Sequence, residues 1–209
     1  IESAAADADH VIIVTVASKL SGTYNALRLG AADLPPDRVT LIDGETMSMG
    51  IGWPVVIGAE VAEATGDVEK TVETVKKVRE HAHLYAGLQT MEYLRRSGRV
   101  SWATAGIGAL LQIKPVLLVK NGEVISASRV RTFARVTDEL VRFANSHAPL
   151  DRLTVLHALN PEGAVELRNR LADIAPADTI ITSITPTIGT HIGPGGLGVV
   201  TVSKSWRTT

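Results

Sequence analysis

The feature that most constrains the fold is a strand-like run, a turn and a helical pattern that follow one another near the start of the chain. Residues 11–16 are all aliphatic or β-branched, which is typical of a strand buried on both faces of a parallel sheet. Residues 23–34 repeat apolar side chains at helical spacing, and Pro35-Pro36 ends that helix. Residues 39–42 supply a second strand. This strand–helix–strand unit predicts a parallel sheet, because two parallel strands need a crossover between them.

The character of the sequence changes near residue 80, which predicts a domain boundary there. Before this point we expect two helices, at residues 51–64 and 68–82. Gly66 would end the first helix as its C-cap, and Asp67 would begin the second as its N-cap. Beyond residue 80, short strand-like segments alternate with helical ones. The sequence therefore divides into two predicted domains, which are residues 1–80 and residues 81–209.

The predicted second domain combines a hairpin with a repeat of strands and helices. Asn121-Gly122 lies between two strand-like segments and is the strongest short signal for a tight antiparallel hairpin. Strands are expected at residues 84–88, 113–119, 123–130, 153–157, 179–184 and 198–203, and helices at 90–96, 132–145 and 162–174. The overall prediction is an α/β fold with two sheets, the first parallel and the second mixed or antiparallel.

Composition excludes several classes of function. The 209 residues have a net charge of -1, 4% aromatic side chains and no cysteine, so they offer no basic surface for nucleic acid, no base-stacking platform and no thiolate metal site. Residues 179–203 lack charged side chains, but Pro186 and Pro194 argue against a helix exposed to lipid. We expect a cytoplasmic protein with no cofactor, no metal ion, no nucleic acid partner and no integral membrane association.

The first candidate site is the turn that joins the first predicted strand to its helix. Ser21, Gly22 and Thr23 would lie at the carboxyl end of a parallel strand, where ligands of open α/β sheets bind. Two hydroxyl groups and the free N–H groups of the helix start suit a carboxylate or a phosphate. The alternative is that Ser21 or Thr23 only caps the helix.

The second candidate site is the glycine-rich segment of residues 187–198, in which five glycines surround His191. We interpret this segment as flexible backbone that approaches a ligand closely, with His191 as a donor to an anion. A structural histidine is the alternative. Arg99, which follows Gly98, is a third candidate for an anion contact. His81 and His83 lack a third ligand nearby and do not predict a zinc site.

Blocks of sequence along most of the chain resemble the DegV family. Residues 18–26, which read Ser-Lys-Leu-Ser-Gly-Thr-Tyr-Asn-Ala, are similar to the signature turn of that family. Further blocks agree in the same order, at residues 42–52, 88–99, 110–117, 129–132 and 189–195. The resemblance also implies that the first strand of the parallel domain precedes Ile1. We therefore interpret the start of this chain as an interior point of a longer protein.

The resemblance implies a Rossmann-like domain of the EDD type, a second α/β domain and one long-chain fatty acid bound between them. The residues that it implies for the ligand are Ser21, Gly22, Thr23, Arg99, His191 and Gly193. Some members of the family are the acyl-carrier subunit of bacterial fatty acid kinase. The resemblance therefore implies a separate kinase protein as partner, with Arg131 as a residue that faces it, and no catalytic residue in this chain.

Two readings of the same residues stay open. The aliphatic side chains that would line a lipid tunnel, or would simply form core, are Leu110, Leu111, Ile113, Ile188, Ile192 and Leu197. The alternative function is catalytic, either an acyl hydrolase with Ser21 as nucleophile and His191 as base or an enzyme for a small phosphorylated ligand. Ser21 is not in a Gly-x-Ser-x-Gly elbow, and no acid that would orient His191 is identified.

Overall fold

The computed structural model describes residue 1, residues 6–100 and residues 113–208. The chain divides into two compact units. The first unit comprises Ile1–Ala82 together with Asn121–Glu123, and the second comprises His83–Lys120 and Val124–Thr209. Each unit has its own sheet and is described separately.

The first unit contains a two-stranded parallel sheet. Strand β1 (Val11–Thr15) pairs with β2 (Val39–Asp43) in a register that places Thr15 beside Asp43. Helix α1 (Thr23–Gly30) forms the crossover, followed by turns and a short 3₁₀ segment, Pro36–Arg38. The helix ends four residues earlier than the sequence predicts. Its last turn tightens into bonds from Ala32 N–H to Leu29 O and from Leu34 N–H to Ala31 O, which are i to i−3 and favour a turn over continued helix.

Two longer helices complete the first unit. Helix α2 (Met49–Thr65) packs on α3 (Val68–His81). Gly58 of α2 lies so close to Val75 of α3 that a Cβ atom on residue 58 would displace the valine side chain. Gly66 adopts φ 64° as the C-cap of α2, and the Asp67 carboxylate accepts the Lys70 N–H as the N-cap of α3. Both capping residues are therefore the ones that the sequence predicts.

The second unit is built on a six-stranded mixed sheet. Its strands are β3 (Ala82–Gly87), β4 (Lys114–Lys120), β5 (Glu123–Val130), β6 (Leu150–His157), β7 (Ile180–Ser183) and β8 (Leu197–Ser203). They lie in the order β5-β4-β3-β8-β6-β7. The β3/β4 and β6/β8 pairs are antiparallel and the β6/β7 pair is parallel. The predicted fold class, an α/β protein with one parallel and one mixed sheet, is confirmed.

The helices of the second unit are α4 (Glu92–Ser97), α5 (Phe133–Asn145), α6 (Pro161–Arg170) and α7 (Pro186–Ile192), and a 3₁₀ segment, Lys204–Arg207, follows β8. Helix α5 packs against the sheet through Val136 and Leu140, and Gly87 of β3 leaves room for Val136. The core is aliphatic, in keeping with the low aromatic content. Among the described helices, none is long and apolar enough to cross a membrane.

Helix α7 corrects the interpretation of residues 187–198 as flexible backbone. Pro186 occupies the first helical turn, where its missing N–H costs nothing, and Gly193 ends the helix with φ 74°. The N–H of Gly193 donates to Gly189 O over 2.8 Å. The glycine and threonine content lowers the helix propensity of this segment, and this lowered propensity conceals the helix in the sequence.

Candidate functional site

The carboxyl ends of β1 and β2 bring two turns together in the first unit. Residues 16–22 follow β1, and residues 44–48 follow β2. The Ala17 N–H donates to Thr46 O over 2.9 Å, and the Ser21 N–H donates to Ala17 O over 3.1 Å. Ala17 and Thr46 are buried. The turn that carries Ser21 therefore has a defined backbone conformation.

Ser21 and Thr23 place two hydroxyl groups at the start of α1. The Ser21 Oγ and Thr23 Oγ1 atoms are 2.8 Å apart, and the Thr23 N–H donates to Ser21 Oγ over 3.2 Å. The first bond of the helix runs from Ala26 N–H to Gly22 O, so the amides of its first turn have no partner within the helix. The Ser21 hydroxyl thus accepts one amide at the helix start. Because one hydroxyl of the pair donates to the other, one O–H group is left to donate to an anion.

Gly22, at the same turn, is exposed and has a φ of -69°, which any residue can adopt. A Cβ atom built on Gly22 would meet no described atom within 4 Å. The described residues therefore give no steric reason for glycine at this position and leave open space above the helix start.

Asp43 joins the two turns at this sheet edge, which the sequence reasoning missed. Its carboxylate accepts the Ser18 N–H at 3.2 Å and the Glu45 N–H at 2.9 Å, and so joins the two turns. The sequence contained a signal for Asp43, because this residue ends the strand that neighbours β1 in a parallel sheet, and ligands bind at that edge. The structure shows that this carboxylate is occupied by backbone amides.

In the second unit, helices α4 and α7 pack against each other and bring the other two candidate segments onto neighbouring elements. The Tyr93 ring lies against Gly193, where a Cβ atom would overlap it. Ile192 packs on a small apolar cluster that includes Leu94 and Val100. The requirement for glycine at residue 193 therefore has a structural explanation in the tyrosine ring.

Arg99 is exposed and turns back on its own backbone. Its Nη1 atom donates to Ser97 O over 2.9 Å, and its N–H donates to Ser97 Oγ over 3.3 Å. None of the hydrogen bonds described for Arg99 joins it to His191. The role of Arg99 as an anion contact stays a prediction.

His191 lies half-buried in the last turn of α7. The loop that follows it is tied down, because Gly195 N–H donates to Ala158 O over 2.7 Å and Asn160 Nδ2 donates to Gly195 O over 3.3 Å. His191 is thus carried by a helix and a pinned loop. Its role as a ligand contact stays a prediction.

Ser21 and His191, the proposed nucleophile and base of the hydrolase alternative, belong to different units. The hydroxyl group of Ser21 bonds to Thr23 within its own turn.

Among the residues that the structure describes, no group of His, Asp or Glu side chains forms a metal cluster. Arg131 is exposed just before Thr132, whose hydroxyl caps α5 by accepting the Arg135 N–H. Leu110 and Leu111 lie outside the described residues.

A second cluster of titratable side chains lies in the second unit and was not predicted. The rings of His83 and His147 stack with centroids 3.8 Å apart, and Tyr85 Oη lies 3.1 Å from His147 Nε2. Lys120 Nζ lies 3.1 Å from His83 Nε2. Burial and the Lys120 charge lower the pKa of His147, while burial raises the pKa of Tyr85. The neutral forms of both groups are favoured.

A family profile and a similar sequence both match most of this chain. The profile described as "Uncharacterised protein, DegV family" matches residues 1–204. A DegV domain-containing protein of Streptomyces coelicolor is 34% identical over 202 residues, which are 94% of this chain and 71% of that protein.

Solved structures are similar over most of the chain. A DegV family protein from Thermus thermophilus, described by its fatty acid binding, has a TM-score of 0.87 and 28% identity and covers 97% of this chain and 74% of its own. A DegV lipid binding protein from Thermotoga maritima has a TM-score of 0.83 and 29% identity, with 96% and 72% covered.

Proposed function

The chain belongs to the DegV family, and from this premise we propose that it binds one long-chain fatty acid with the carboxylate on the Ser21-Gly22-Thr23 turn. The observation that carries the proposal is the pair of hydroxyl groups 2.8 Å apart beside the open space above Gly22. The similar proteins from Thermus thermophilus and Thermotoga maritima, which are described as binding fatty acid and lipid, support the ligand class.

The affinity would come mainly from the acyl chain. Burial of each methylene contributes about 0.8 kcal/mol, so a dozen methylenes give about 10 kcal/mol before the costs of ordering. Ile113, Ile188 and Ile192 are partly buried and suit a tunnel lining. Leu197 belongs to the buried core of the second unit and suits that role less. A tight complex therefore needs no catalytic group.

We place the remaining contacts in the second unit as part of the same proposal. Arg99, His191 and Gly193 would add donors and close backbone to the polar end of the ligand. The protein would then act as a carrier that presents the carboxylate to a separate fatty acid kinase. The exposed Arg131 would lie on the docking surface for that kinase.

Native mass spectrometry of freshly purified full-length protein tests the proposed ligand. We expect a mass increment that matches one saturated or monounsaturated long-chain fatty acid. Delipidated protein should regain that increment when oleate or palmitate is added. Protein that carries no lipid and takes up neither acid would overturn the proposal.

The carrier role also predicts that the isolated protein does not turn over acyl esters or ATP. The Ser21 hydroxyl bonds to Thr23, and this arrangement does not activate a nucleophile. The measurement is steady-state release of product from a p-nitrophenyl ester and from ATP. Turnover that disappears in Ser21→Ala would instead support the hydrolase.

A further inference from the structure

The turn after β2 is strained, and it supports the turn that carries Ser21. Glu45 has φ 54° and Ser48 has φ 53°, in the left-handed region that non-glycine residues seldom occupy. Such residues cost free energy and persist only where surrounding contacts hold them. Thr46, between them, accepts the Ala17 N–H through its carbonyl oxygen. The strained turn is therefore bonded directly to the backbone of the turn that carries Ser21.

The Asp43 carboxylate is the side-chain link between the two turns. One oxygen accepts the Glu45 N–H over 2.9 Å, and both oxygens lie 3.2 Å from the Ser18 nitrogen. Hydrogen bonds to a charged acceptor are stronger than those between neutral groups. Ser18 lies three residues before Ser21, so this bond fixes the start of the turn whose end carries the hydroxyl pair.

Arg79 holds the same turn from the last part of α3. Its side chain is only 20% exposed, and its Nη1 atom donates to the Asp43 carbonyl oxygen over 2.8 Å. The same atom lies 3.7 Å from Glu45 Oε1. Arg79 bonds to the backbone carbonyl oxygen of Asp43 and not to its carboxylate. Both carboxylate oxygens therefore remain available to the Ser18 and Glu45 amides.

Arg79 also leaves a buried donor unsatisfied. Its Nε atom has no hydrogen-bond partner among the described residues. A buried donor without a partner lowers stability. The described polar contacts of Arg79 are thus made by its Nη1 atom, to the turn after β2.

We propose that Asp43 and Arg79 are positioning residues for the turn of residues 18–23, on which the ligand carboxylate is proposed to bind. This inference rests on the proposed function, and neither residue is required to touch the ligand. Arg79 fixes the backbone of Asp43, the Asp43 carboxylate fixes the Ser18 amide, and the Ser21 and Thr23 hydroxyl groups are thereby oriented before the ligand arrives. A turn ordered in advance loses less entropy when it binds.

The test compares oleate with oleyl alcohol, which has the same chain and no carboxylate, by calorimetric titration of delipidated full-length protein. Asp43→Ala should weaken oleate binding by about tenfold, because the turn of residues 18–23 must then be ordered when the ligand binds. Its affinity for oleyl alcohol should change by less than about twofold, since the apolar contacts remain. Asp43→Asn keeps one acceptor oxygen and should restore part of the oleate affinity.

Arg79→Met should have the same selective effect, and Arg79→Lys should restore part of the loss. Lys76→Met is the matched control, because Lys76 is exposed on the same helix and the substitution removes the same charge. It should leave both affinities unchanged. In ligand-free protein, amide hydrogen exchange at Ser18 and Glu45 should accelerate in Asp43→Ala and remain as in wild type in Lys76→Met.

The outcomes separate the two proposals. Equal losses for oleate and oleyl alcohol would show that Asp43 and Arg79 only stabilise the fold, and unchanged oleate affinity would show that they position nothing. Either result overturns the inference while lipid binding stands. Wild-type protein that binds neither ligand would refute the proposed function itself. If Asp43→Ala does not fold, Asp43→Asn and Arg79→Lys carry the same comparison with smaller effects.

Discussion

At the scale of single residues, two glycines near the same sheet edge have different explanations. A Cβ atom on Gly44 would overlap Thr15 O and the Ile51 side chain, so the fold itself requires glycine there. Gly22 has open space around it and an ordinary φ. The proposed ligand would give a reason for glycine at residue 22 that the described residues do not.

Gly22→Ala should therefore separate stability from binding. We expect the free energy of unfolding to change by no more than about 0.5 kcal/mol, as for most surface substitutions. Oleate affinity should fall, because the added methyl group occupies the space above the helix start. Denaturant unfolding and calorimetric titration measure the two quantities. Gly44→Ala is the contrasting control and should lose stability. Unchanged oleate affinity in Gly22→Ala would show that the ligand does not approach this turn.

The stacked histidines give a prediction for pH. Burial and Lys120 lower the pKa of His147 below its ordinary value of 6.5, so the unfolded chain binds a proton more readily than the folded one. As the pH falls through 6.5, the free energy of unfolding should therefore decrease. His147→Phe keeps a ring that can stack on His83 and removes the titrating group. Its unfolding free energy should fall less steeply than that of wild type between pH 7.5 and pH values about two units lower. Parallel curves for the two proteins would contradict this assignment.

The residues that sequence reasoning found and missed differ in the range of their contacts. The position of Ser21 and Thr23 at a helix start could be predicted, because a strand, a turn and a helix lie within a short segment. The bonds of Asp43 to Ser18 and of Arg79 to Asp43 cross 25 and 36 positions of sequence. Tyr93 and Gly193, which are in contact, lie even further apart in the sequence. A single sequence carries no local signal for such pairs. The place of Asp43 at the end of a predicted parallel strand could mark it as a candidate, but its bonding partners required the structure.

At the scale of elements, local signals decided which boundaries could be predicted. Gly66-Asp67 marks the junction of α2 and α3 correctly, since capping depends on residues within one turn. Asn121 at φ 54° and Gly122 at φ 73° form the tight turn of the predicted hairpin. Helix α7 has no such signal beyond Pro186, and its contact with α4 stabilises a segment of low propensity.

Substituting Gly189 tests whether α7 is a plain structural helix. A Cβ atom there meets no described atom within 4 Å, so Gly189→Ala should stabilise the helix by about 1 kcal/mol. Gly58→Ala is the matched control within a helix, because its Cβ atom would lie 2.5 Å from Val75 Cγ2 and should destabilise the protein. Denaturant unfolding measures both. A loss of stability in Gly189→Ala would mean that α7 is packed more closely than the described contacts show.

At the scale of the whole molecule, fold class followed from the sequence and strand order did not. The parallel β1/β2 pair and the hairpin strands β4 and β5 could be predicted, since each joins neighbouring segments. The insertion of β8 between β3 and β6 joins strands far apart in sequence. Apolar strands such as β6 and β8 would suit several positions in a sheet. Their order depends on packing against α5 and α6, which no local pattern specifies.

Substitutions at Ser21, His191 and Ile192 should distinguish the polar end of the proposed ligand from its acyl chain. Removing one charge-assisted hydrogen bond should cost about 1.5 to 3 kcal/mol, a minority of the apolar contribution. Ser21→Ala or His191→Ala should therefore weaken oleate binding by about tenfold to a hundredfold and leave it measurable. Phosphorylation by a fatty acid kinase should fall much more, because that reaction needs the carboxylate in one orientation. Ile192→Asp should instead abolish lipid uptake, since it places an unpaired carboxylate among apolar side chains.

The measurements are oleate affinity and the initial rate of acyl phosphorylation, made on wild type and the three variants with a fatty acid kinase present. Circular dichroism of each variant checks that it is folded. Ile192→Val, which keeps an apolar side chain at the same position, is the control for Ile192→Asp and should retain lipid. Equal affinity and equal phosphorylation in Ser21→Ala and His191→Ala would mean that Ser21 only caps α1 and that His191 only braces α7. A normal rate in Ile192→Asp would place the acyl chain elsewhere, because a buried, unpaired charge cannot coexist with a methylene chain at that position.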